Sequence, residues 1–399
     1  MSIDYESKLS DAVKVVPPSA IRRFFDLANE MKGEVISLSI GEPDFVTPWT
    51  IREAGINSLV DGYTHYSPNA GYIDSRRAIT QYIERRYGIS YRPKDECLIT
   101  VGGSEGLDLA ARALINPGDE VIIVEPCFVA YKATVLFARG IPKIISTKQE
   151  NNFKLLPEEL EDAITDKTKY LILGFPSNPT GAVMSREDLE KIKDVLLRYP
   201  DIIVLSDELY CELNYTGSNP VSLACFEEIR NRVIMINGFS KSYAMTGFRV
   251  GYVLGPKELI APMTKIHQYC IMSSPSMSQF ALIEAATNGD ECIAEMREEY
   301  NHRRRVIVNG LKEAGLDCFT PYGAFYAFPS IKGLGMTSQQ FCEKFLVEKH
   351  VAIVPGNAFG ECGEGHVRIS YAASMNDIVE AIRRLGEFVK EIKEGKYDA

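Results

Sequence analysis

Residues 238–251, GFSKSYAMTGFRVG, are the most informative stretch of this chain of 399 residues. Apolar segments with the composition of buried strands flank it, RVIMIN at 232–237 and FRVGYVL at 248–254. Lys241 therefore follows a buried strand, among small and hydroxyl-bearing residues, where its amine is shielded from water. Desolvation lowers the pKa of a lysine and leaves a neutral amine that can attack an aldehyde.

Arg249 lies eight residues after Lys241 and is the second informative residue of this stretch. Its guanidinium is a fixed positive fork that suits a phosphate. A lysine that captures an aldehyde, beside an arginine that holds a phosphate, fits pyridoxal phosphate, which carries both groups. The sequence therefore predicts a pyridoxal-phosphate site around Lys241.

The middle of the chain alternates short apolar runs with longer amphipathic stretches. The apolar runs lie at 97–101, 120–124, 170–175 and 201–206. Strands that are buried on both faces and alternate with helices predict an α/β fold with a large, doubly wound, mainly parallel sheet. In such sheets, ligands bind beyond the carboxyl ends of the strands.

The pattern changes after about residue 278. A helix is predicted from 279 to 311, followed by short strands and helices of a smaller α+β domain. We expect residues 1–47 to form an arm that joins this small domain, 48–284 the large cofactor-binding domain and 285–399 the small domain. The charged run Arg303–Arg305 is predicted to be a solvated helix face, because helix charges usually serve solubility.

The composition excludes several classes of function. The net charge of −10 offers no basic surface for nucleic acid, and no apolar run approaches the roughly 20 residues that span a membrane. The first eight residues lack the basic start and apolar stretch of a signal peptide. Nine cysteines without a Cys-x-x-Cys pair favour reduced thiols in the cytoplasm, and we predict no metal site.

Polar residues at two strand ends complete the predicted contacts to the cofactor ring. Asn178 lies in SNPTG at 177–181, where turn formation is the structural alternative to donation to the ring oxygen. Asp207 follows the run at 201–206, and a buried carboxylate is costly unless a cation pairs with it. The protonated pyridine nitrogen is such a cation, although a helix N-cap would also explain an aspartate there. Tyr210 is placed to share the ring oxygen with Asn178.

The phosphate is expected at the start of the helix that follows the strand at 97–101. Residues 102–106 begin this helix with Gly102, Gly103, Ser104, Glu105 and Gly106, and backbone amides at a helix N-terminus bind phosphate. We expect the side chain of Glu105 to turn away from the phosphate while its amide contributes. Phe128, after the next strand, is predicted to stack on the cofactor ring, with plain core packing as the alternative.

Arg368 is the predicted site for a substrate carboxylate, because an arginine fork matches a carboxylate bidentately. It lies on an alternating strand of the second domain, and Gly41 is placed to add a backbone contact. Residues that select the substrate side chain are less apparent. Candidates are Ile21, Arg22, Tyr269–Ser273 and Arg112. For Arg112, an ion pair with Asp108 one helical turn away is favoured over a role in substrate binding.

The whole chain resembles the class I/II aminotransferases of the fold-type-I pyridoxal-phosphate enzymes, from GEPDF at 41–45 to Arg368. The lysine motif of that family matches throughout 238–251. Further stretches resemble bacterial PatA-like aminotransferases of the aspartate and N-acetyl-diaminopimelate types, among them HQY, FPSIK and GEGHVR at 267–269, 328–332 and 363–368. Gly238 departs from the serine or threonine that many members have there, and Ser240 is placed to replace that hydroxyl.

The resemblance implies the functional residues. Lys241, Asp207 and Tyr210 are the expected catalytic residues, and Gly41, Asn178 and Arg368 bind the substrate. The expected cofactor contacts are Tyr66, Gly103, Ser104, Glu105, Phe128, Asn178, Asp207, Tyr210, Ser240, Lys241 and Arg249. Family dimers lend the tyrosine that matches Tyr66 to the neighbouring phosphate, so the resemblance also implies a homodimer with a shared active site.

The implied reaction moves an amino group from an L-amino acid to a 2-oxo acid, with 2-oxoglutarate as the expected acceptor, in two half-reactions. A β-lyase that cleaves a carbon–sulfur bond would use the same lysine, aspartate and arginine, and remains the alternative. A regulator built on this fold would carry an added basic DNA-binding domain, for which the chain has neither the length nor the charge.

Overall fold

The computed structural model describes residues 3–19, 24, 26, 30–31 and 34–397. Strands in these ranges are numbered in chain order: β1 Ile36–Ser37, β2 Cys97–Thr100, β3 Glu120–Glu125, β4 Ile141–Ser146, β5 Thr168–Gly174, β6 Ile203–Asp207, β7 Val233–Gly238, β8 Gly251–Leu254, β9 Tyr326–Ala327, β10 Val351–Ala352, β11 Val354–Pro355 and β12 Val367–Ser370. The α-helices include Asp11–Lys14, Trp49–Val60, Ile73–Tyr87, Gly102–Leu114, Ala130–Phe137, Pro157–Ala163, Arg186–Leu197, Glu227–Arg230, Lys257–Cys270, Ser276–Asn288, Asp290–Glu313, Ser338–Lys349 and Met375–Lys393. None of these described helices has the length and apolar character that a membrane crossing requires.

Within the described residues, seven strands form one large sheet in the order β2-β8-β7-β6-β5-β3-β4. The five strands from β7 to β4 run parallel, whereas β8 is antiparallel to both of its neighbours. Most of these strands are nearly continuous apolar runs, as expected for strands that are covered on both faces. The predicted fold class, a large and mainly parallel α/β sheet, is confirmed.

Side chains alternate between the two faces of the large sheet. In β5, Leu171 and Leu173 pack into the apolar core on one face, and Tyr170 and Ile172 pack into the core on the other. All four side chains are at most 3% exposed. Helices supply the rest of both cores, so the sheet is doubly wound and the carboxyl ends of its parallel strands open at one edge.

A further core surrounds the short strands of the C-terminal part. β9, β11 and β12 form an antiparallel sheet, and β1 pairs in parallel with β10. Phe24 and Leu38, from the N-terminal arm, belong to the same core as Phe325 and Ile369. The arm therefore packs with the C-terminal part of the chain.

The strand predicted at 248–254 is shorter in the structure. It begins at Gly251, because Thr246–Phe248 forms a turn of 3-10 helix and the backbone of Arg249 is left-handed, with φ of 49°. A left-handed residue cannot continue a strand. The turn places Arg249 beside the start of helix Gly102–Leu114 rather than within the sheet.

The helix predicted from 279 to 311 is two helices in the structure, Ser276–Asn288 and Asp290–Glu313. Gly289 separates them, with φ of −87° and ψ of 0°, outside the α-helical range. Glycine is a poor helix former, so the sequence allows the break. The apolar pattern runs through both helices, so periodicity alone does not reveal the break between them.

The prediction that Arg303–Arg305 is a solvated helix face is wrong for Arg303. That side chain is 8% exposed and its guanidinium pairs with Asp44 at 2.7 Å and with Glu299 at 2.8 Å. Arg304 is partly buried and donates to the carbonyl of Pro321, so only Arg305 is exposed as predicted. Asp44 lies in the N-terminal arm, 259 residues away, and no local pattern reveals that contact.

Replacing Asp44 with alanine is expected to lower the free energy of unfolding by about 1–3 kcal/mol, because it leaves a buried guanidinium with one partner fewer. Glu298→Ala is the matched control, since it removes an exposed partner of Arg305 and is expected to change stability by less than about 0.5 kcal/mol. Urea unfolding measures both values. Equal effects of the two substitutions would contradict the structural importance of the Asp44–Arg303 pair.

Candidate active site

A cleft of about 360 Å³ lies at the carboxyl ends of β5, β6 and β7, against the C-terminal part of the chain. Most of the predicted site residues line it: Gly41, Gly103, Ser104, Phe128, Asn178, Asp207, Tyr210, Ser240, Lys241, Arg249 and Arg368. Two of the expected cofactor contacts, Tyr66 and Glu105, do not. Residues of the cleft that the sequence analysis did not single out are Ile40, Glu42, Tyr131, Pro176, Leu209, Thr246 and Tyr326.

Lys241 follows β7 and extends into this cleft. Its Nζ donates a hydrogen bond of 2.6 Å to the carbonyl of Gly41. Burial lowers the pKa of Lys241 from its ordinary value of 10.5 to about 8; the carboxylate of Glu42 opposes this shift, and the charges of Arg368 and Arg249 add to it. Desolvation of this amine is the effect that the sequence predicts.

In protein freed of any bound aldehyde, the amine of Lys241 is expected to become reactive around pH 8. A lowered pKa means that the neutral, nucleophilic form appears at a lower pH than in an exposed lysine. Labelling with an amine-selective reagent across pH 6–11, with peptide mass spectrometry, should give a midpoint near 8 for Lys241. The exposed Lys257 serves as the internal control for access of the reagent. A midpoint at Lys241 near its ordinary value of 10.5 would contradict the desolvation of this amine.

Asp207 is the last residue of β6 and lies at the bottom of the cleft, 8% exposed. Its carboxylate accepts hydrogen bonds from the hydroxyl of Tyr131 at 2.8 Å and from the amide of Leu209 at 3.1 Å. Burial raises the pKa of Asp207, which these hydrogen bonds and the charge of Lys241 oppose. A turn follows at Leu209, so the N-cap alternative is wrong. Within the described residues, no lysine, arginine or histidine nitrogen lies within 4.0 Å of this carboxylate.

Tyr131 is a functional candidate that the sequence analysis missed. It lies on helix Ala130–Phe137, is 5% exposed and donates to Asp207 across 76 residues of sequence. Phe128 precedes this helix, and its ring contacts the ring of Tyr131 edge to face at 5.9 Å. An apolar helix pattern accounts for a buried tyrosine equally well, so no sequence signal distinguished Tyr131 from the core.

The predicted phosphate site lies where helix Gly102–Leu114 begins, at the glycine pair that the sequence predicts. Gly102 has a left-handed backbone with φ of 76°, and a β-carbon there would collide with the guanidinium of Arg249. That guanidinium donates to the carbonyl of Thr246 at 2.9 Å. The positive end of the helix, Ser104, Ser240 and Arg249 thus surround one end of the cleft.

The side chain of Glu105 turns away from the cleft and caps the helix. One carboxylate oxygen accepts the amide of Val101 at 2.5 Å, and the other is 2.6 Å from Nδ1 of His267. His267 is completely buried, on helix Lys257–Cys270. The sequence does not reveal this contact, because partners 162 residues apart leave no local pattern.

Arg368 lines the same cleft and is 1% exposed. Its guanidinium donates to the side-chain oxygen of Asn178 at 3.0 Å and to the carbonyl of Ser39. It is held between two aromatic rings, with Tyr326 at 4.5 Å and Phe359 at 4.8 Å. Within the described residues, its Nε has no hydrogen-bond partner and no carboxylate lies within 4.0 Å. Burial lowers the pKa of Arg368.

Several predicted residues lie outside the cleft. Tyr66 is 82% exposed and Tyr269 is 84% exposed. Arg112 pairs with Asp108 at 3.3 Å and contacts the sulfur of Cys270, which supports the structural interpretation of this arginine. The candidates Ile21 and Arg22 lie outside the described residues.

Comparison with known proteins agrees with this geometry. The family model of class I and II aminotransferases matches residues 33–385. Putative aminotransferase YugH of Bacillus subtilis (strain 168) is 49% identical over 383 residues, 96% of this chain and 98% of the relative. A probable N-acetyl-LL-diaminopimelate aminotransferase of the same strain is 40% identical over 98% of both chains.

A solved aspartate aminotransferase of Thermus thermophilus with maleate has a TM-score of 0.91 to this chain, at 35% identity. The match covers 95% of this chain and 99% of that one. The resemblance predicted from the sequence, to the aspartate and N-acetyl-diaminopimelate types included, is confirmed. This chain therefore belongs to the class I and II aminotransferase family and is an enzyme that transfers amino groups.

Proposed function

We propose that the cleft binds pyridoxal phosphate through Lys241 and uses it to move an amino group from an L-amino acid to 2-oxoglutarate. The observation that carries this proposal is the convergence of Lys241, Asp207 and Arg368 on one cleft. An amine of lowered pKa, a buried carboxylate and a buried guanidinium each match a different part of the cofactor or of the substrate.

The residues of the cleft fit the cofactor at both of its charged ends. Asp207 is a buried carboxylate whose ionised form gains from a cation, and a protonated pyridine nitrogen is one. The phosphate fits the helix that begins at Gly102, where the backbone amides, Ser104 and Arg249 supply donors and positive charge. Phe128, which lines the cleft, would stack on the ring in this proposal.

Pyridoxal phosphate, when bound, withdraws electrons from the substrate α-carbon and stores the amino group between the two half-reactions. Asp207 keeps the proton on the pyridine nitrogen, and Tyr131 and the amide of Leu209 hold its carboxylate in place. The hydroxyl of Tyr210 donates to the ring oxygen. The amine of Lys241 would take the proton from the substrate Cα and deliver it to the aldehyde carbon of the cofactor, so that it would act first as base and then as acid.

Arg368 binds the α-carboxylate of the substrate in this proposal. Its Nε has no partner in the described residues, and Asn178 and Ser39 orient the guanidinium through its other nitrogens. Because Oδ1 of Asn178 accepts from Arg368, the amide nitrogen of Asn178 is free to donate to the ring oxygen. The carbonyl of Gly41 accepts from Lys241, so its contribution to the substrate is through its N–H.

We assign 2-oxoglutarate as the acceptor because it is a dicarboxylate, as is the maleate named with the Thermus structure. The relatives are named for different amino donors, N-acetyl-LL-diaminopimelate in one and aspartate in another. The donor is therefore the variable that the test below screens. Nine free cysteines support a reducing cytoplasm as the location.

We also propose a homodimer that completes the active site. Exposed apolar side chains concentrate on helix Trp49–Val60 and on two adjoining segments: Trp49, Ile56, Leu59, Val60, Tyr63, Tyr66, Tyr269, Ile271, Met272 and Met277. A contact from Asn69 to the carbonyl of Met272 joins the two segments into one surface. A second copy would cover this surface and carry Tyr66 to the phosphate of the neighbouring cleft.

Mixing two defective variants tests the shared site. In the hybrid dimer, one protomer carries Tyr66→Phe and the other carries Lys241→Ala. The first protomer then has an intact Lys241 and receives an intact Tyr66 from its partner, so one of the two clefts is complete. Co-refolded mixtures are therefore expected to regain the cofactor affinity that the Tyr66→Phe homodimer lacks. Separately refolded samples that are mixed without exchange are the control. A monomer in analytical ultracentrifugation, or no recovery in the hybrid, would contradict the proposal.

The function is tested by mixing the purified protein with single L-amino acids, without any oxo acid, and recording the visible absorbance of the lysine-bound cofactor. Stoichiometric loss of the band with one amino acid, and its return with 2-oxoglutarate, is the expected result and identifies the donor. A persistent band with accumulating pyruvate and ammonia would support the β-lyase instead. Protein that takes up no pyridoxal phosphate would refute the assignment of Lys241.

A further inference from the structure

Tyr326, the first residue of β9, is a cleft residue with no role in the reaction described above. It is 1% exposed and its hydroxyl lies 2.6 Å from the hydroxyl of Tyr210. Its ring lies 4.5 Å from the guanidinium carbon of Arg368. One side chain therefore contacts both the proposed ligand of the ring oxygen and the proposed ligand of the substrate carboxylate.

The surroundings leave Tyr326 little freedom. Its backbone pairs with Ser370 in the β9–β12 ladder, and its ring packs against Phe325 at 4.9 Å. The α-carbon of Gly41 lies so close to the hydroxyl of Tyr326 that a β-carbon at position 41 would collide with it. A glycine is thus required at position 41 by the side chain of Tyr326.

Each of the two phenols has one hydroxyl proton and can donate only one hydrogen bond, which decides the direction of the bond between them. Burial raises the pKa of Tyr210 and of Tyr326, so both hydroxyls keep their protons near neutral pH. Tyr210 has one proton, which it donates to the ring oxygen in the proposed function. Its oxygen must then accept, so Tyr326 is the donor. A hydroxyl that accepts a hydrogen bond becomes a stronger donor, because the two bonds polarise each other.

We propose that Tyr326 is a positioning residue with two separable parts: a hydroxyl that strengthens the donation from Tyr210, and a ring that holds Arg368 for the substrate carboxylate. This inference rests on the proposed function, since Tyr210 and Arg368 contact the cofactor and the substrate only there. Neither contact is visible in the sequence, where FYAF at 325–328 is an ordinary buried strand.

Tyr326→Phe tests the hydroxyl and keeps the ring. Donation to the ring oxygen stabilises its anionic form, so loss of the hydroxyl should raise the pH midpoint at which the visible band of the bound cofactor changes, by about 0.5–1 pH unit. The affinity for maleate, an unreactive dicarboxylate, should stay within about two-fold because the ring still faces Arg368.

Tyr326→Leu removes both parts. The midpoint should rise as in Tyr326→Phe, and the Kd for maleate should increase by about 5- to 30-fold, because one aromatic face of the buried guanidinium is lost. Tyr322→Phe is the matched control, since Tyr322 is 43% exposed and lies outside the cleft. It should change neither value, and thermal unfolding identifies any variant that fails to fold.

The outcomes separate this inference from the proposed function. An upward midpoint in both Tyr326 variants, with weaker maleate binding only in Tyr326→Leu, supports it. A midpoint in Tyr326→Phe equal to that of the unmodified protein, or equal Kd values in the two variants, overturns it and leaves the proposed function standing. An unmodified protein without a visible cofactor band overturns both.

Discussion

Lys241→Ala is expected to lower kcat for amino transfer by about 10⁴-fold or more, because one amine provides both the covalent attachment and the proton transfer at Cα. Alanine leaves the remaining contacts of the cleft in place, so the variant should still take up pyridoxal phosphate. Its absorbance should resemble that of the free aldehyde. Single-turnover assays with the amino acid identified by the screen measure the loss.

Borohydride reduction and peptide mass spectrometry provide the structural control for that loss. The cofactor should be found on the peptide with Lys241 in the unmodified protein and on no peptide of the variant. Lys257→Ala, at a lysine whose side chain is 58% exposed, should retain both activity and labelling. A Lys241→Ala protein that keeps more than about one-tenth of the activity would show that another group moves the proton.

Asp207→Asn is expected to lower kcat by about 10²- to 10⁴-fold with little change in shape, because a neutral amide cannot hold the proton on the pyridine nitrogen. Tyr131→Phe should cost about 10-fold, since Asp207 loses one of its two hydrogen bonds. Steady-state kinetics with saturating cofactor separate this loss from weaker cofactor binding.

Glu208→Gln is a demanding control for Asp207. Glu208 is the next residue, 2% exposed, and its carboxylate accepts from Ser206 at 2.6 Å, in a separate pocket outside the cleft. Burial raises the pKa of Glu208 to about 7, so the neutral amide resembles a form that the residue already adopts near neutral pH. Its kcat should stay within about two-fold of the unmodified value. A similar loss in Glu208→Gln and Asp207→Asn would show that the effect of Asp207 is structural.

The main elements of the fold and the centre of the site were predictable because their signals are local. Each strand that ends at the cleft is a short apolar run followed at once by polar residues, as at Asp207 and Lys241. In a parallel sheet those ends must meet at one edge, so local patterns in separate segments predict one site. Arg368 was predictable as well, from an arginine between apolar neighbours on a strand.

The partners of these residues were not predictable in the same way. Tyr131 reaches Asp207 across 76 residues, Tyr326 reaches Tyr210 across 116, and His267 reaches Glu105 across 162. Each is an aromatic residue or a histidine in an ordinary apolar pattern, and sequence periodicity reports only which face of an element is buried. Arg303 was misjudged for the same reason, since its partner Asp44 lies in the N-terminal arm.

Sequence alone therefore established the α/β sheet, the lysine at the end of a buried strand and the chemistry that this lysine can perform, because strand patterning and desolvation act on neighbouring residues. Tertiary structure alone decided which buried side chains orient that chemistry: Tyr131 below Asp207, and Tyr326 between Tyr210 and Arg368. A buried polar group must find a hydrogen-bond partner wherever the folded chain provides one, and that partner is set by packing rather than by proximity in sequence.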